Sequence, residues 1–372
     1  MTSRVPFLDL GGTHREIDQD LRDAYERVTM RSSFVLGEEG AAFEREFSAY
    51  CGARECVTTG NGQDALEILL RAYDIGPGDE VIVPAFTFAA TWFCVSRVGA
   101  TAVPVDVSAA SYTLDPSAFE AAITAKTRAV IPVHLYGHPA AMAPICDMAR
   151  EHGIMVIEDA AQAHGATYRG RHAGALGDAA AFSFYPTKNL GALGDAGAIV
   201  TGDSAVARAA RMLRNYGSER KYEHERVGQN SRMDELQAAF LRTKIPHLER
   251  WNEARRRVAA AYGERLAPFG DLVTLPSVAD DTQHAWHLFV VRVKHRDAVA
   301  ERMDRSGVAT LVHYPKTIRE QHAYAGIDIP HDISVSTALA RDVLSLPMWP
   351  QLEDRDIEIV CDALVEAAQK VA

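Results

Sequence analysis

The chain contains seven lysines, and one of them, Lys188, sits where an amine could do covalent chemistry. It follows Phe182-Ser183-Phe184-Tyr185-Pro186-Thr187, which reads as a strand end, and precedes the small-residue run Gly191-Ala192-Leu193-Gly194-Asp195-Ala196-Gly197. A lysine in such a loop can approach a bound aldehyde closely, and an amine that forms a Schiff base needs that access and a lowered pKa. Without its surroundings, a surface lysine in a turn is the commoner outcome. Two carboxylates close the apolar run Ile154-Met155-Val156-Ile157-Glu158-Asp159. A strand-end acid suits pyridoxal chemistry, which needs a carboxylate at the ring nitrogen to keep that nitrogen protonated. The plainer alternative is that Glu158 and Asp159 are loop or cap residues.

Two further segments fit the same chemistry. Thr58-Thr59-Gly60-Asn61-Gly62-Gln63-Asp64 reads as strand end, glycine turn and helix start. The free N–H groups and dipole of a helix start form an anion site, which would suit a cofactor phosphate. A plain capped helix is the alternative. After Glu80-Val81-Ile82-Val83-Pro84 comes Phe88, which could stack on a flat heterocycle or simply fill a core.

These residues need a scaffold that brings strand ends together. Glu80–Pro84, Ala129–Val133, Ile154–Glu158, Ala180–Phe184 and Gly197–Thr201 read as buried strands, with helices expected at Ala140–His152 and Asp203–Tyr216. Near-continuous apolar strands alternating with helices predict an α/β fold with a mostly parallel sheet covered on both faces. Ligands of such sheets bind beyond the carboxyl ends of the strands. Past residue 230 the pattern changes. Met233–Ala261 reads as one Arg- and Glu-rich helix, Trp286–Val293 as a strand, Gly307–Val312 as a further strand candidate, and Asp354–Val371 as a closing helix. This predicts a large domain over 1–250 and a smaller C-terminal α+β domain over 251–372.

Composition sets wider bounds. With 372 residues, 47% hydrophobic and 24% charged, the chain is ordinary globular protein and long enough for two domains. A net charge of −11 argues against nucleic acid as a partner. Cys51, Cys56, Cys94, Cys146 and Cys361 form no Cys-x-x-Cys pair and read as reduced thiols. The first ten residues lack a signal-peptide core, and no apolar run has the length of a membrane span. A cytoplasmic protein with no membrane or metal partner is expected.

In their order and spacing, these motifs resemble the DegT/DnrJ/EryC1/StrS family of sugar aminotransferases. The most specific stretches are Gly78–Pro84, Glu158-Asp159-Ala160-Ala161-Gln162-Ala163-His164-Gly165, and Ser183–Gly197. The resemblance implies the fold-type I architecture with a seven-stranded sheet sandwiched by helices, and pyridoxal 5′-phosphate (PLP) as cofactor. By motif position, Lys188 forms the Schiff base and Asp159 pairs with the pyridine nitrogen. Gln162 lies near the ring hydroxyl and Phe88 stacks on the ring, while Ser183 and the backbone of Gly62 and Gln63 bind phosphate. Asn230, in Val227-Gly228-Gln229-Asn230-Ser231-Arg232, matches an asparagine that reaches the neighbouring subunit's phosphate, which implies a homodimer with shared active sites. Apart from the resemblance, Asn230 reads equally as a turn residue.

The resemblance further implies amino transfer from L-glutamate to a keto sugar on dTDP. Asn61-Gly62-Gln63 replaces the commoner Ser-Gly-Thr, so a threonine hydroxyl is lost as phosphate ligand. This variant, with Asn215–Tyr222, resembles the branch that aminates at C3, with a dTDP-3-amino-3,6-dideoxyhexose as product. Lys221, His224 and Arg232 are candidates for the sugar diphosphate. An ion pair with Asp234 or Glu235 is an equal reading of Arg232, and a solvated loop the default for the other two. Tyr314 lies in His313-Tyr314-Pro315-Lys316-Thr317-Ile318-Arg319-Glu320-Gln321, which resembles a substrate-facing loop but departs from the frequent His-Tyr-Pro-x-Pro-x-His-x-Gln.

Other readings remain. Family members also aminate at C4 or act on aminocyclitols. A dehydratase of this fold would carry histidine in place of Lys188. A nicotinamide enzyme would need Gly-x-Gly-x-x-Gly, which Asp64 and Ala65 break. A PLP-binding regulator would need a DNA-binding module, and no basic helix-turn-helix segment is found.

Overall fold

The computed structural model describes residues 5–327 and 329–371. The start of the chain at 1–4, read above as free of a signal core, lies outside them.

Seven strands form the principal sheet. In chain order they are β1 Glu55–Thr59, β2 Glu80–Pro84, β3 Thr101–Val105, β4 Thr127–Val130, β5 Met155–Asp159, β6 Ala179–Ser183 and β7 Gly197–Thr201. Their order across the sheet is β1-β7-β6-β5-β4-β2-β3. Only β7 runs against its neighbours, pairing antiparallel with both β1 and β6; every other pairing is parallel. The carboxyl ends of β1, β2, β5 and β6 therefore open on one edge.

The strands are apolar on both faces because both faces are covered. Val156, Val130, Phe182 and Val200 turn to one layer, with the helices Glu38–Cys51, Met142–His152 and Glu235–Lys244. Ile157, Ile131, Ala181 and Ile199 turn to the other, with Gly62–Ala72, Ala90–Arg97 and Ser204–Leu213. This is the period-2 alternation of a strand buried on both sides. It also means that Glu158 and Asp159, consecutive in β5, must face opposite layers.

A second core gathers around a three-stranded antiparallel sheet of Val273–Thr274, Phe289–Val293 and Val343–Leu346. The helices Leu248–Leu266, Arg296–Arg305 and Asp354–Gln369 pack on it through Tyr262, Met303 and Leu364. Val5 joins this core and bridges Val308, so the start of the chain is fastened beside its last third.

Several elements differ from the sequence reading. The strand expected at Ala129–Val133 begins at Thr127 and ends at Val130. The single helix expected over Met233–Ala261 is two, Glu235–Lys244 and Leu248–Leu266, parted by a 3₁₀ turn at Ile245–His247. Pro246 lacks the N–H an unbroken helix would use, and it was passed over. Gly307–Val312 is no strand; it makes isolated bridges from Val308 and Leu311. The strand expected from Trp286 begins at Phe289, since Trp286 is left-handed with φ 48°.

Candidate active site

Beyond those strand ends lies a cavity of about 400 Å³. Its lining includes Gly62, Gln63, Phe88, Asp159, Gln162, Ser183, Lys188 and Tyr314, eight positions singled out from sequence.

Lys188 projects from the loop after β6. Phe184 N donates to Ala196 O at 2.8 Å, Ala192 N to Phe184 O at 2.7 Å, and Lys188 N to Tyr185 O at 2.8 Å. Gly191 is required by close approach, because a Cβ there would lie 2.3 Å from Pro186 O. Burial pushes the Lys188 amine down to about 8, and the Asp159 carboxylate opposes that fall. No hydrogen-bond partner of Nζ exists among the described residues.

Asp159 is buried. Its Oδ2 accepts from Thr91 Oγ1 at 2.8 Å and its Oδ1 from Ala161 N at 3.2 Å. Burial raises its pKa, against the opposing pull of the Thr91 and Ala161 hydrogen bonds and of Lys188. A cationic ring nitrogen is the partner that would relieve that penalty. Glu158, one residue earlier, is fully buried and does something else. It accepts from the N–H groups of Gly174, Leu176 and Gly177, each at 2.8 Å, and pairs with His134 Nε2 at 2.8 Å. Burial would raise its carboxyl, but these bonds hold it below the ordinary value. Glu158 thus fastens the 174–177 loop, close to the cap role that was one reading of it.

The glycine turn is both a capped helix and an anion site. Asn61 Oδ1 accepts from Asp64 N at 2.8 Å, while the N–H groups of Gly62 and Gln63 have no protein acceptor among the described residues. A Cβ on Gly62 would meet Ser183 Cβ at 2.8 Å, so glycine lets this helix start close on β6. Ser183 and the two N–H groups consequently line one corner. Phe88 is 56% exposed, which a core phenylalanine would not be, and its ring lies 5.6 Å from that of Tyr314. Gln162 Oε1 accepts from Tyr136 N at 2.6 Å and its Nε2 donates to Tyr314 OH at 3.1 Å, so both ends of the amide are fixed.

These groups fit PLP. The lone amine suits an aldehyde, the Gly62 and Gln63 N–H groups suit a phosphate, the buried acid suits a ring nitrogen and the open phenyl face suits the ring.

The chain matches the DegT/DnrJ/EryC1/StrS aminotransferase family over residues 15–365. It belongs to this family. The chain is 50% identical over 372 residues to the dTDP-3-amino-3,4,6-trideoxy-α-D-glucose transaminase of Streptomyces venezuelae, covering 100% of this chain and 98% of that one. It is also 50% identical over 349 residues to the erythromycin biosynthesis sensory transduction protein EryC1 of Saccharopolyspora erythraea, covering 94% and 95%. Among solved structures, S. venezuelae DesV in complex with a ketimine intermediate superimposes with a TM-score of 0.96 at 49% identity, over 100% of both chains. The protein is a PLP-dependent aminotransferase of the α/β class.

Four sequence candidates do not meet in this cavity. Lys221, His224 and Asn230 are exposed on the segment between the helices Ser204–Leu213 and Glu235–Lys244. His224 Nδ1 lies 2.9 Å from Tyr216 O, and Asn230 forms a bridge with Asn215. Arg232 Nη1 donates to Asn215 Oδ1 at 3.0 Å, and its guanidinium lies 5.6 Å from the Tyr216 ring centre. It pairs with neither Asp234 nor Glu235. Glu235 instead accepts from the N–H groups of Gly37, Glu39 and Gly40.

Thr91, Asn189 and His287 were missed, and His313 was read only as the first residue of the substrate-facing segment. His287 and His313 line the cavity, and Thr91 and Asn189 act through Asp159 and His287. Thr91 was within reach of the sequence, lying one helical turn after Thr87 beyond β2. His287 lies far from Lys188 in the second half of the chain, where no local pattern marks it.

Proposed function

We propose that this enzyme moves the amino group of L-glutamate to C3 of a dTDP-linked keto-6-deoxyhexose, giving a dTDP-3-amino-3,6-dideoxyhexose for deoxyamino-sugar biosynthesis. The observation that carries the reading is the shared cavity of Lys188 and Asp159, with the free N–H groups of Gly62 and Gln63 at its edge. The dTDP carrier and the C3 position are taken from the transaminase to which the chain is similar.

In this reading Lys188 holds the cofactor, Asp159 its ring nitrogen, Gln162 its hydroxyl, and Ser183, Gly62 and Gln63 its phosphate. PLP when bound supplies an electron sink, which makes the donor's Cα–H acidic enough to lose its proton. Lys188 Nζ, with an affinity for protons lowered toward neutral, takes up that proton and returns it. Asp159 stays anionic beside a cationic ring. The sugar amination runs as the reverse of the same proton movements.

The protein acts as a homodimer in which Asn230 of each chain completes the other's phosphate site, and Lys221, His224 and Arg232 meet the sugar diphosphate. Support comes from large exposed apolar side chains. Met30 is 86% and Val227 85% exposed, and Phe34, Val35, Leu36 and Leu193 are also open to solvent. Phe34, Val35 and Leu36 are consecutive in the chain, and a contiguous exposed apolar patch marks an association site. We also divide the chain near residue 250 and place the protein in the cytoplasm; no helix among the described residues is long and apolar enough to cross a membrane.

One experiment separates this from the regulator reading, which the name of EryC1 favours. Glutamate should bleach the yellow colour of the purified protein. Mass spectrometry with a panel of dTDP-3-keto and dTDP-4-keto sugars should then show amine on the 3-keto compounds. A colour that no amino acid moves would favour a regulator, and amine on the 4-keto sugars alone would move the site of transfer.

A further inference from the structure

One wall of the lysine cavity carries a histidine whose protonation is fixed by its neighbours. His287 is buried, and its Nδ1 lies 3.2 Å from Asn189 Oδ1. The Asn189 amide cannot turn round. Its Nδ2 lies 2.8 Å from the Ala285 carbonyl oxygen, which only accepts, and 2.8 Å from Asn252 Oδ1. Asn252 is oriented in turn, since its Nδ2 donates to the His164 carbonyl at 2.8 Å. A flipped Asn189 would press its oxygen against a carbonyl oxygen. The atom facing His287 is therefore an acceptor, and Nδ1 carries the hydrogen. A neutral imidazole has one N–H, so Nε2 keeps a bare lone pair.

The ring is neutral for a stated reason. Burial acts first, and then the positive charges of Lys188 and Arg255, with smaller contributions from His313 and His164, all of which disfavour a second proton. No carboxylate is among them. Among the described residues Nε2 has no hydrogen-bond partner, and neither has Lys188 Nζ, which lines the same cavity. An acceptor that stays unprotonated and a donor without an acceptor line one cavity.

We propose that His287 is a positioning residue for Lys188, its Nε2 accepting a hydrogen bond from the Lys188 amine once the donor amino acid has displaced that nitrogen from the cofactor. The free amine is thereby held in the cavity while it carries the proton. The inference rests on the aminotransferase reading above, and wild-type transamination tests that reading separately.

The test has two parts. With ¹⁵N-labelled histidine, NMR of the enzyme carrying the aminated cofactor left by glutamate, in which Lys188 is free, should show His287 protonated at Nδ1 and bare of hydrogen at Nε2; N189A should lose that preference, and K188A loaded with the same aminated cofactor should shift the Nε2 signal. In single-turnover bleaching by glutamate, H287L should slow the reaction by about ten- to a hundredfold, the size of one or two lost hydrogen bonds, with little change in the glutamate concentration at half-maximum rate. H287Q, which restores an acceptor, should recover to within about threefold on the same scale. A proton found on Nε2 would overturn the proposal. So would an H287L enzyme that bleaches normally and is slow only with the sugar, since the lone pair would then serve a substrate hydroxyl. Should H287L fail to fold, N189A carries the same comparison, because it removes the contact that sets the tautomer.

Discussion

The cofactor cavity and the 215–232 segment differ in how they hold their functional groups. In the cavity most polar groups have an anchor behind them, the Lys188 amine excepted. Asp159 leans on Thr91, Gln162 is clamped between Tyr136 and Tyr314, and Asn61 caps the helix whose next two N–H groups stay free. The segment is held mostly by its own backbone, through the Asn215–Asn230 and Arg220–Glu223 bridges, with its root at Ser231, whose Oγ accepts from Gly60 N at 2.9 Å. Lys221, His224 and Asn230 stand in solvent. Groups that must meet a ring to within a fraction of an ångström are preorganised inside one chain. Groups that would meet a flexible diphosphate are left open, as a second copy would require.

The strongest way to break this contrast is at Lys188. K188A should lower kcat by about 10⁴-fold or more, the upper range for a lost acid–base group, and leave the melting temperature nearly unchanged. Borohydride trapping and peptide mapping should label residue 188 in the native protein and nothing in the variant. A label elsewhere would remove the cavity from the chemistry.

Asp159 comes next. D159N keeps the size of the side chain and its contact with Thr91 but removes the charge, and should cost about 10² to 10³ in kcat. It also gives a pH test with a definite sign. Burial pushes the Lys188 amine down to about 8, and the Asp159 anion opposes that fall. Without the anion the lysine should shed its proton at lower pH. The rate at which an amine reagent modifies residue 188 should therefore rise at lower pH in D159N than in the native apoprotein, and an unmoved profile would mean the two groups do not sense each other.

What the sequence disclosed follows the same divide. Strand ends with glycine turns or paired acids are local patterns, and Asp159, Gly62 and Lys188 were legible because one strand or loop sets each of them. Their convergence came from β strands that buried both faces, which the apolar runs announced. The separate fates of Glu158 and Asp159 were not stated, although period 2 forces neighbours in a strand to opposite faces. His287 and Asn189 were invisible for a physical reason: their roles rest on a chain of amides running through Asn252, Ala285 and His164, and such contacts leave no spacing to read. The departure at Thr317 became intelligible only in the fold. Its N–H and hydroxyl both donate to Glu320 Oε2, at 2.8 and 3.0 Å, capping the turn that buries Ile318 where the family often has proline.

A sharper test addresses the open segment. N230A should weaken PLP binding by about tenfold, the worth of one hydrogen bond to a charged phosphate. If Asn230 serves the other subunit, K188A and N230A chains refolded together should do what neither does alone. A mixed dimer has one site with both native residues, so a random mixture should regain about a quarter of native activity at limiting PLP. Failure to complement would place Asn230 outside the partner's site.

The smallest effect is expected at Lys221 and His224. Both are exposed, and Lys221 Nζ already lies 5.1 Å from the Tyr222 ring centre, so neither is held ready for a ligand. A solvated charge that meets a diphosphate at a rim is screened by salt and contributes about 1 kcal/mol or less, or severalfold in binding. K221A and H224A should accordingly raise KM for the nucleotide sugar about two- to tenfold at low ionic strength and less at high, with KM for glutamate unchanged. Equal losses with glutamate and sugar would mean that the segment shapes the cavity as a whole, and that the contrast between its two regions is one of mobility and not of ligand.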